Sequence, residues 1–296
     1  MKMKTNMLCM GALGCSAMIF LAGPSEAPVV APSSGCDGLR GSVGATLGYG
    51  WLNGSALRDD YDDGYASVLL ELRLATDIGS SLYAQLDVLA EYPDTDSDAN
   101  EEYDDAHGVA VHLMHKESSI GVFAGWFEAV HDDDSDISQR YIAGIEGLYE
   151  YSGIDLHWQV GAVMGEQDEN EDGEQALHDA IFVRLAGDKQ LNNGLRVGGE
   201  VAVAIGEMDD DANDVIIYGW SAHVEKRFNA DWTMALVYNG SYYDQDEGQG
   251  NMIDHYLGVN ATYYFGSGGD PEECKPGLGL PPIMRWLGLS GGMDAS

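Results

Sequence analysis

The chain has 296 residues, enough for one large domain or two ordinary ones, and carries 50 acidic against 14 basic residues, a formal charge of −36. That balance excludes nucleic acid as a partner, because phosphate binding needs clustered Lys and Arg. Beyond the N-terminus no stretch is long and apolar enough for a transmembrane helix, which leaves membrane-spanning strands open.

The chain opens as a targeting segment. Lys2 and Lys4 are followed by an uncharged apolar run over residues 7–22, and Ser25-Glu26-Ala27 supplies small residues for cleavage. A secretory signal over residues 1–27 is therefore expected, and a short N-terminal segment over 28–38. Cys9 and Cys15 leave with the signal, so Cys36 and Cys274 remain, and two cysteines in an oxidising compartment can pair.

From there the sequence alternates in segments of about ten residues, the length of a tilted membrane-spanning strand. The second segment sets Val68, Leu70, Leu72 and Leu74 against Ser67, Glu71, Arg73 and Asp77. The seventh puts Ile154, Leu156, Trp158, Val160, Ala162 and Met164 on one face, with Asp155, His157, Gln159 and Gly161 on the other. The ninth sets Leu195, Val197, Val201, Val203 and Ile205 opposite Arg196 and Glu200. A helix would scatter these charges around its circumference. Twelve such segments start near residues 39, 65, 82, 107, 119, 139, 154, 177, 194, 215, 231 and 252. The fifth breaks the pattern, since Phe123 and Phe127 oppose Ile120, Val122 and Trp126.

Connections alternate strictly between short and long, and charge sorts with them. Of the 50 acidic residues, 29 fall in the six long connections, where Arg58 is the lone basic residue. Aromatics gather at the segment ends. Tyr49, Trp51, Tyr92, Tyr218, Tyr242 and Tyr243 lie towards the long loops, and Tyr83, Tyr149, Tyr151, Trp232, Tyr263, Tyr264 and Phe265 towards the short turns. A soluble β-sandwich alternates too, but has no reason to sort loop length, charge and aromatics by side at once.

From Leu39 to Phe265 the chain resembles a Gram-negative outer-membrane β-barrel, and Leu257, Val259, Ala261, Tyr263 and Phe265 resemble the final strand read by the barrel-insertion machinery. Two departures stand out: residues 266–296 follow that phenylalanine, and Asn260 stands where glycine is usual. The resemblance implies an all-β, antiparallel up-and-down transmembrane barrel of twelve strands, with short periplasmic turns and long acidic extracellular loops. It also implies outer-membrane lipid and lipopolysaccharide as surroundings, and a periplasmic tail over residues 266–296. In that tail, residues 281–287 could form an apolar helical turn at the pore mouth.

With the apolar face towards lipid, the other face lines the lumen. It carries Arg40, Glu71, Arg73, Asp87, Glu91, His112 and Glu146 from the first six segments. The last six add His157, Arg184, Arg196, Glu200, His223, Glu225 and Asp254. Buried charges must be paired or hydrated, so the lumen is either a water-filled pore or a salt-bridged interior. The acidic excess inside and at the mouth points to a porin passing small solutes or ions by diffusion, with a preference for cations. The alternatives are a closed barrel whose acidic loops serve adhesion, recognition or structure, and a barrel hydrolase.

The hydrolase reading would draw on His107, His131, His178 or His255. Asp179 and Asp254 stand beside the last two, but neighbours on a strand point to opposite faces. Neither G-x-S-x-G nor H-E-x-x-H occurs. An enzyme is the least favoured of the three.

One acidic loop has a motif of its own. Asp168, Asn170 and Asp172 offer oxygen ligands at alternate positions, Gly173 permits a sharp turn, and Asp179 holds the twelfth place. Strands rather than helices flank it, which favours weak, shared binding of Ca2+ or other divalent cations over a tight calcium site. The sequence asks for no organic cofactor. Cys36 just before the first strand and Cys274 shortly after the last would meet near the barrel seam, where a disulfide would join the two ends.

Overall fold

The computed structural model describes residues 38–54, 64–94, 105–130, 137–166, 177–208, 213–245 and 251–266. Twelve strands follow one another: β1 (Arg40–Gly54), β2 (Gly64–Ile78), β3 (Leu82–Asp94), β4 (Asp105–His115), β5 (Ile120–Val130) and β6 (Ile137–Tyr151). The second half comprises β7 (Ile154–Glu166), β8 (Leu177–Gln190), β9 (Leu195–Met208), β10 (Asn213–Arg227), β11 (Trp232–Gln245) and β12 (Asn251–Gly266). Each begins within two residues of the position expected from the alternation. Neighbours pair antiparallel in chain order, and β1 closes the barrel on β12, with Arg40 opposite Gly266 and Gly54 opposite Met252. Closure satisfies every strand edge, which a bilayer demands.

The start of β1 and the end of β12 lie at the end of the barrel that carries the short turns. The tightest is Ser152-Gly153 between β6 and β7, where both residues have positive φ (53° and 74°), the two-residue hairpin matched to strand twist. At the opposite, long-loop end the connecting residues lie outside the described ones, and so do Asp168, Asn170, Asp172, Cys36 and Cys274.

The outer wall is apolar around the whole circumference: Leu47, Ile181, Val201 and Leu236 are all more than half exposed. An apolar belt of that extent on a closed barrel suits lipid. Aromatic pairs mark its two rims: Tyr218 with Tyr242 (6.2 Å) towards the loops and Trp232 with Tyr263 (5.0 Å) towards the turns. Three residues expected in these girdles point inwards instead. Tyr83 and Tyr243 are buried, and Tyr264 borders an internal cavity. The cause is strand parity, since Tyr243 and Tyr264 each follow or precede an outward-facing aromatic.

The inward face differs between the two ends. Near the loops it is packed with Leu52, Tyr65, Phe123, Phe127, Ile142, Val163, Leu177, Phe182, Ile217, Tyr243 and Met252, all buried. Rings are seated on glycines of neighbouring strands. A methyl group on Gly144 would stand 2.8 Å from Phe123, and one on Gly161 would stand 2.8 Å from Phe182. Tyr256 covers Gly48, Tyr65 covers Gly50 and Phe127 covers Gly108 in the same way. Large-on-small pairing fills a narrow barrel without voids. It also settles the irregular β5: Phe123 and Phe127 face inwards as part of this apolar cap, while Ile120 and Val122 face out.

Candidate functional site

Below the cap, a cavity of about 330 Å³ extends from mid-barrel to the short-turn rim. On β7 and β8 the order is the same. β7 carries Val163 in the cap, then Gln159, then His157; β8 carries Phe182, then Arg184, then Asp188. The interior is therefore an apolar cap, a charged belt and a polar vestibule, stacked along the barrel axis.

The belt is a continuous chain of side chains over half the circumference. The Gln85 amide on β3 donates to both oxygens of Asp87 (2.9 and 3.0 Å), and Asp87 lies 3.4 Å from Nε2 of His112 on β4. His112 Nδ1 meets both carboxylate oxygens of Glu146 on β6 at 2.9 and 3.0 Å. The Gln159 amide on β7 donates to Glu146 (3.0 Å) and accepts from Arg184 on β8 (2.9 Å). Arg184 then grips Glu200 on β9 in a bidentate pair at 2.5 and 2.7 Å. On β5, which contributes no polar group here, Phe123 stacks on His112 at 5.9 Å. Such chains are stable only when every member is satisfied, and breaking one link leaves a charge uncompensated in a low-dielectric interior.

The vestibule is charged but nearly balanced. Its guanidiniums are Arg73, Arg184, Arg196 and Arg227. Its carboxylates are Glu71, Asp155, Asp188, Glu200 and Glu225. Several are already paired: Arg73 with Glu71 at 3.2 Å, Arg196 with Glu225 at 3.8 Å, and His223 with Asp188 at 2.9 Å. The last pair reaches across β9 directly over Gly198, where a Cβ would collide with both partners. Opposite stands a neutral ladder in which Thr262 donates to Asn260 (2.8 Å) and Asn260 to Thr46 (2.9 Å).

All fourteen residues expected to line a lumen lie on inward-facing positions, but they divide among four places. Glu71, Arg73, His157, Arg184, Arg196, Glu200, His223 and Glu225 border the vestibule. Asp87, His112 and Glu146 belong to the belt. Arg40 sits at the rim, 3.6 Å from Asp77, which Lys116 also approaches at 3.0 Å. Glu91 and Asp254 stand in the cap region, where Ser67 donates to Glu91 (2.9 Å) and Tyr65 to Asp254 (3.1 Å). Arg140 is a further buried cation among the cap residues, bonded to the Leu177 carbonyl at 2.7 Å. Asp188, Arg227 and Gln159 were not among the expected site residues. The first two stand at the short-turn ends of β8 and β10, where the alternation of the sequence gives out, and an amide between two charges has no pattern of its own.

The histidines separate in the same way. Asp254 is buried inside, whereas His255 stands on the outer wall, its Nδ1 hydrogen-bonded with the Tyr238 hydroxyl (2.9 Å) and its ring stacked on Trp51 (5.2 Å). That pair cannot act together. In β8 a bulge between His178 and Ile181 interrupts the alternation, and Asp179 has a φ of 43° and is exposed. Among the described residues no group of three or more His, Cys, Asp or Glu is arranged to hold a metal.

No protein-family model matches the chain, and no curated protein matches it in sequence. Among solved structures it is similar to an outer-membrane channel from Pseudomonas putida F1, with a TM-score of 0.55 at 12% identity over 82% of this chain and 98% of that one. The chain has the fold of an outer-membrane β-barrel. A monoaromatic hydrocarbon channel overlaps more loosely, with a TM-score of 0.45 at 9% identity over 78% of this chain and 89% of that one. Such identities speak for the fold alone. The lipid-suited belt and the rims of the outer-membrane barrel agree with it.

Proposed function

We propose that the protein is an outer-membrane channel for small solutes that rests closed, with cations favoured at its loop mouth. The observation that carries this reading is the stacked interior. A barrel with a purely structural role has no need of a polar cavity of about 330 Å³ beneath its cap. Apolar constrictions gate by excluding water, and the ring-on-glycine layer has the composition of one. The cation preference rests on sequence: 29 of 50 acidic residues lie in the long connections, which concentrates counter-ions there. The same carboxylates are proposed to share Ca2+ or other divalent cations. Calcium titration of the wild type against Asp168→Ala tests this, and identical thermal shifts would dismiss Asp168 as a ligand.

Single-channel recording in planar bilayers is the deciding experiment. Long closed periods broken by brief cation-selective openings are expected, and unbroken silence from folded protein at all voltages would sink the proposal. The second reading, a closed barrel with surface-active acidic loops, draws on how tightly the cap is packed, since Ile142, Val163 and Phe182 are each 1% exposed. It requires silence even after the cap is thinned. Asp254 and His255 cannot serve a hydrolase together, because they face opposite sides of the wall.

A further inference from the structure

We propose that the vestibule is a binding site for a small, net-neutral, polyhydroxylated solute entering from the short-turn end. The proposal deepens the channel reading and relies on it only for what happens to the solute after binding. Three observations support it.

The first is His157. It is 7% exposed and borders the cavity, and its Nδ1 has no hydrogen-bond partner among the described residues. Leaving a buried polar atom unpaired is unfavourable, a loss that a ligand hydroxyl would remove. The second is spare capacity around it. At 3.8 Å, Arg196 and Glu225 attract each other without a hydrogen bond, so both keep donors and acceptors directed at the cavity. On the facing wall, the Thr46–Asn260–Thr262 ladder presents hydroxyl and amide groups.

The third observation is the charge balance. With guanidiniums and carboxylates nearly equal and mostly paired, a net-charged ligand would shed its hydration for little return. A hydroxyl both donates and accepts, so a polyol can satisfy Arg196, Glu225 and His157 together. The rings of Tyr256 and Tyr264 border the same space and offer apolar faces to C–H groups. A volume of about 330 Å³ is at the lower end for ligand sites, room for about one or two pyranose rings.

The test is isothermal titration of the folded full-length protein in detergent. Glucose and maltose serve as neutral probes, glucuronate and glucosamine as charged counterparts, and glycine betaine as a zwitterion. Saturable binding of a neutral sugar is expected, with each charged or zwitterionic probe at least about tenfold weaker. His157→Leu and Arg196→Met should each weaken it by about tenfold while the thermal midpoint holds, which separates lost contacts from lost fold. Equal binding of charged probes, no binding of either sugar, or sugar binding untouched by both variants would overturn the proposal. Sugar binding in a barrel that never conducts would refute the channel reading alone, and conduction without sugar binding would refute this one alone.

Discussion

The two ends of the barrel interior are built from the same strands to opposite effect. Towards the long loops the inward positions carry rings that lie on glycines, so the wall closes upon itself. Towards the short turns they carry charges that repel tight packing and keep about 330 Å³ open. Strand parity decides which residues face inwards, but only their chemistry decides whether that space fills or stays hydrated. In a soluble domain, inward means apolar. Here the polar vestibule is as much inside as the cap is.

The largest effect is expected from removing the cap. Phe123→Ala combined with Phe182→Ala uncovers Gly144 and Gly161 and takes two rings from the packed layer. Mean single-channel conductance should rise by about fivefold or more if that layer is the barrier. Unchanged silence would shift the balance to the closed-barrel reading. Each truncation should also cost about 3–5 kcal/mol of stability.

Breaking the belt comes next, and it tests the other half of the contrast. Arg184→Met leaves Glu200 and Gln159 without their shared donor. Urea unfolding in lipid vesicles should show a loss of about 3–5 kcal/mol, because a buried carboxylate then has no counter-ion. The double variant Arg184→Met with Glu200→Leu should recover most of that loss. If the single variant is neutral, water reaches the belt and the interior is less dry than its burial suggests.

How much of this was legible in the sequence follows from the same contrast. The strands and their order could be read, because charges such as Glu71 and Arg73 alternate with leucines at a strict period of two. The charged inward set could be read for the same reason. The cap could not, since an apolar residue facing inwards looks like one facing lipid, and Phe123 and Phe127 registered only as an irregularity. Its signal lay in the glycines: Gly48, Gly50, Gly108, Gly144 and Gly161 each face a ring from a neighbouring strand. That pairing needs register, which a single sequence does not state. Register also decided that Asp188 meets His223 across Gly198, although they are 35 positions apart in the chain.

A smaller effect should come from filling one of those seats. Gly161→Val places a branched side chain where the Phe182 ring lies, 2.8 Å from the nearest position a Cβ could take. Overpacking of this kind costs about 1–3 kcal/mol, less than losing the ring, because the side chains can partly adjust. The channel readout separates the two: Gly161→Val should leave the resting state closed, whereas the double alanine variant should open it. Conduction from the valine variant would mean that ring position, rather than ring volume, holds the cap shut.

The smallest effect is expected on the outer wall. His255 sits among Trp51, Trp220 and Tyr238, with ring centroids 5.2 to 6.5 Å away, and shares a hydrogen bond with the Tyr238 hydroxyl. His255→Phe keeps the stacking and removes one hydrogen bond at a partly exposed position, where the hydroxyl can find water or a lipid headgroup. A loss of no more than about 1 kcal/mol in vesicle unfolding is therefore expected, with conductance and selectivity unchanged. A larger loss, or a change in gating, would mean that the outer wall transmits strain to the cap through β12, where His255 is flanked on the inner face by Asp254 and Tyr256. The separation of a lipid-facing surface from a layered interior would then have to be replaced by a coupled one.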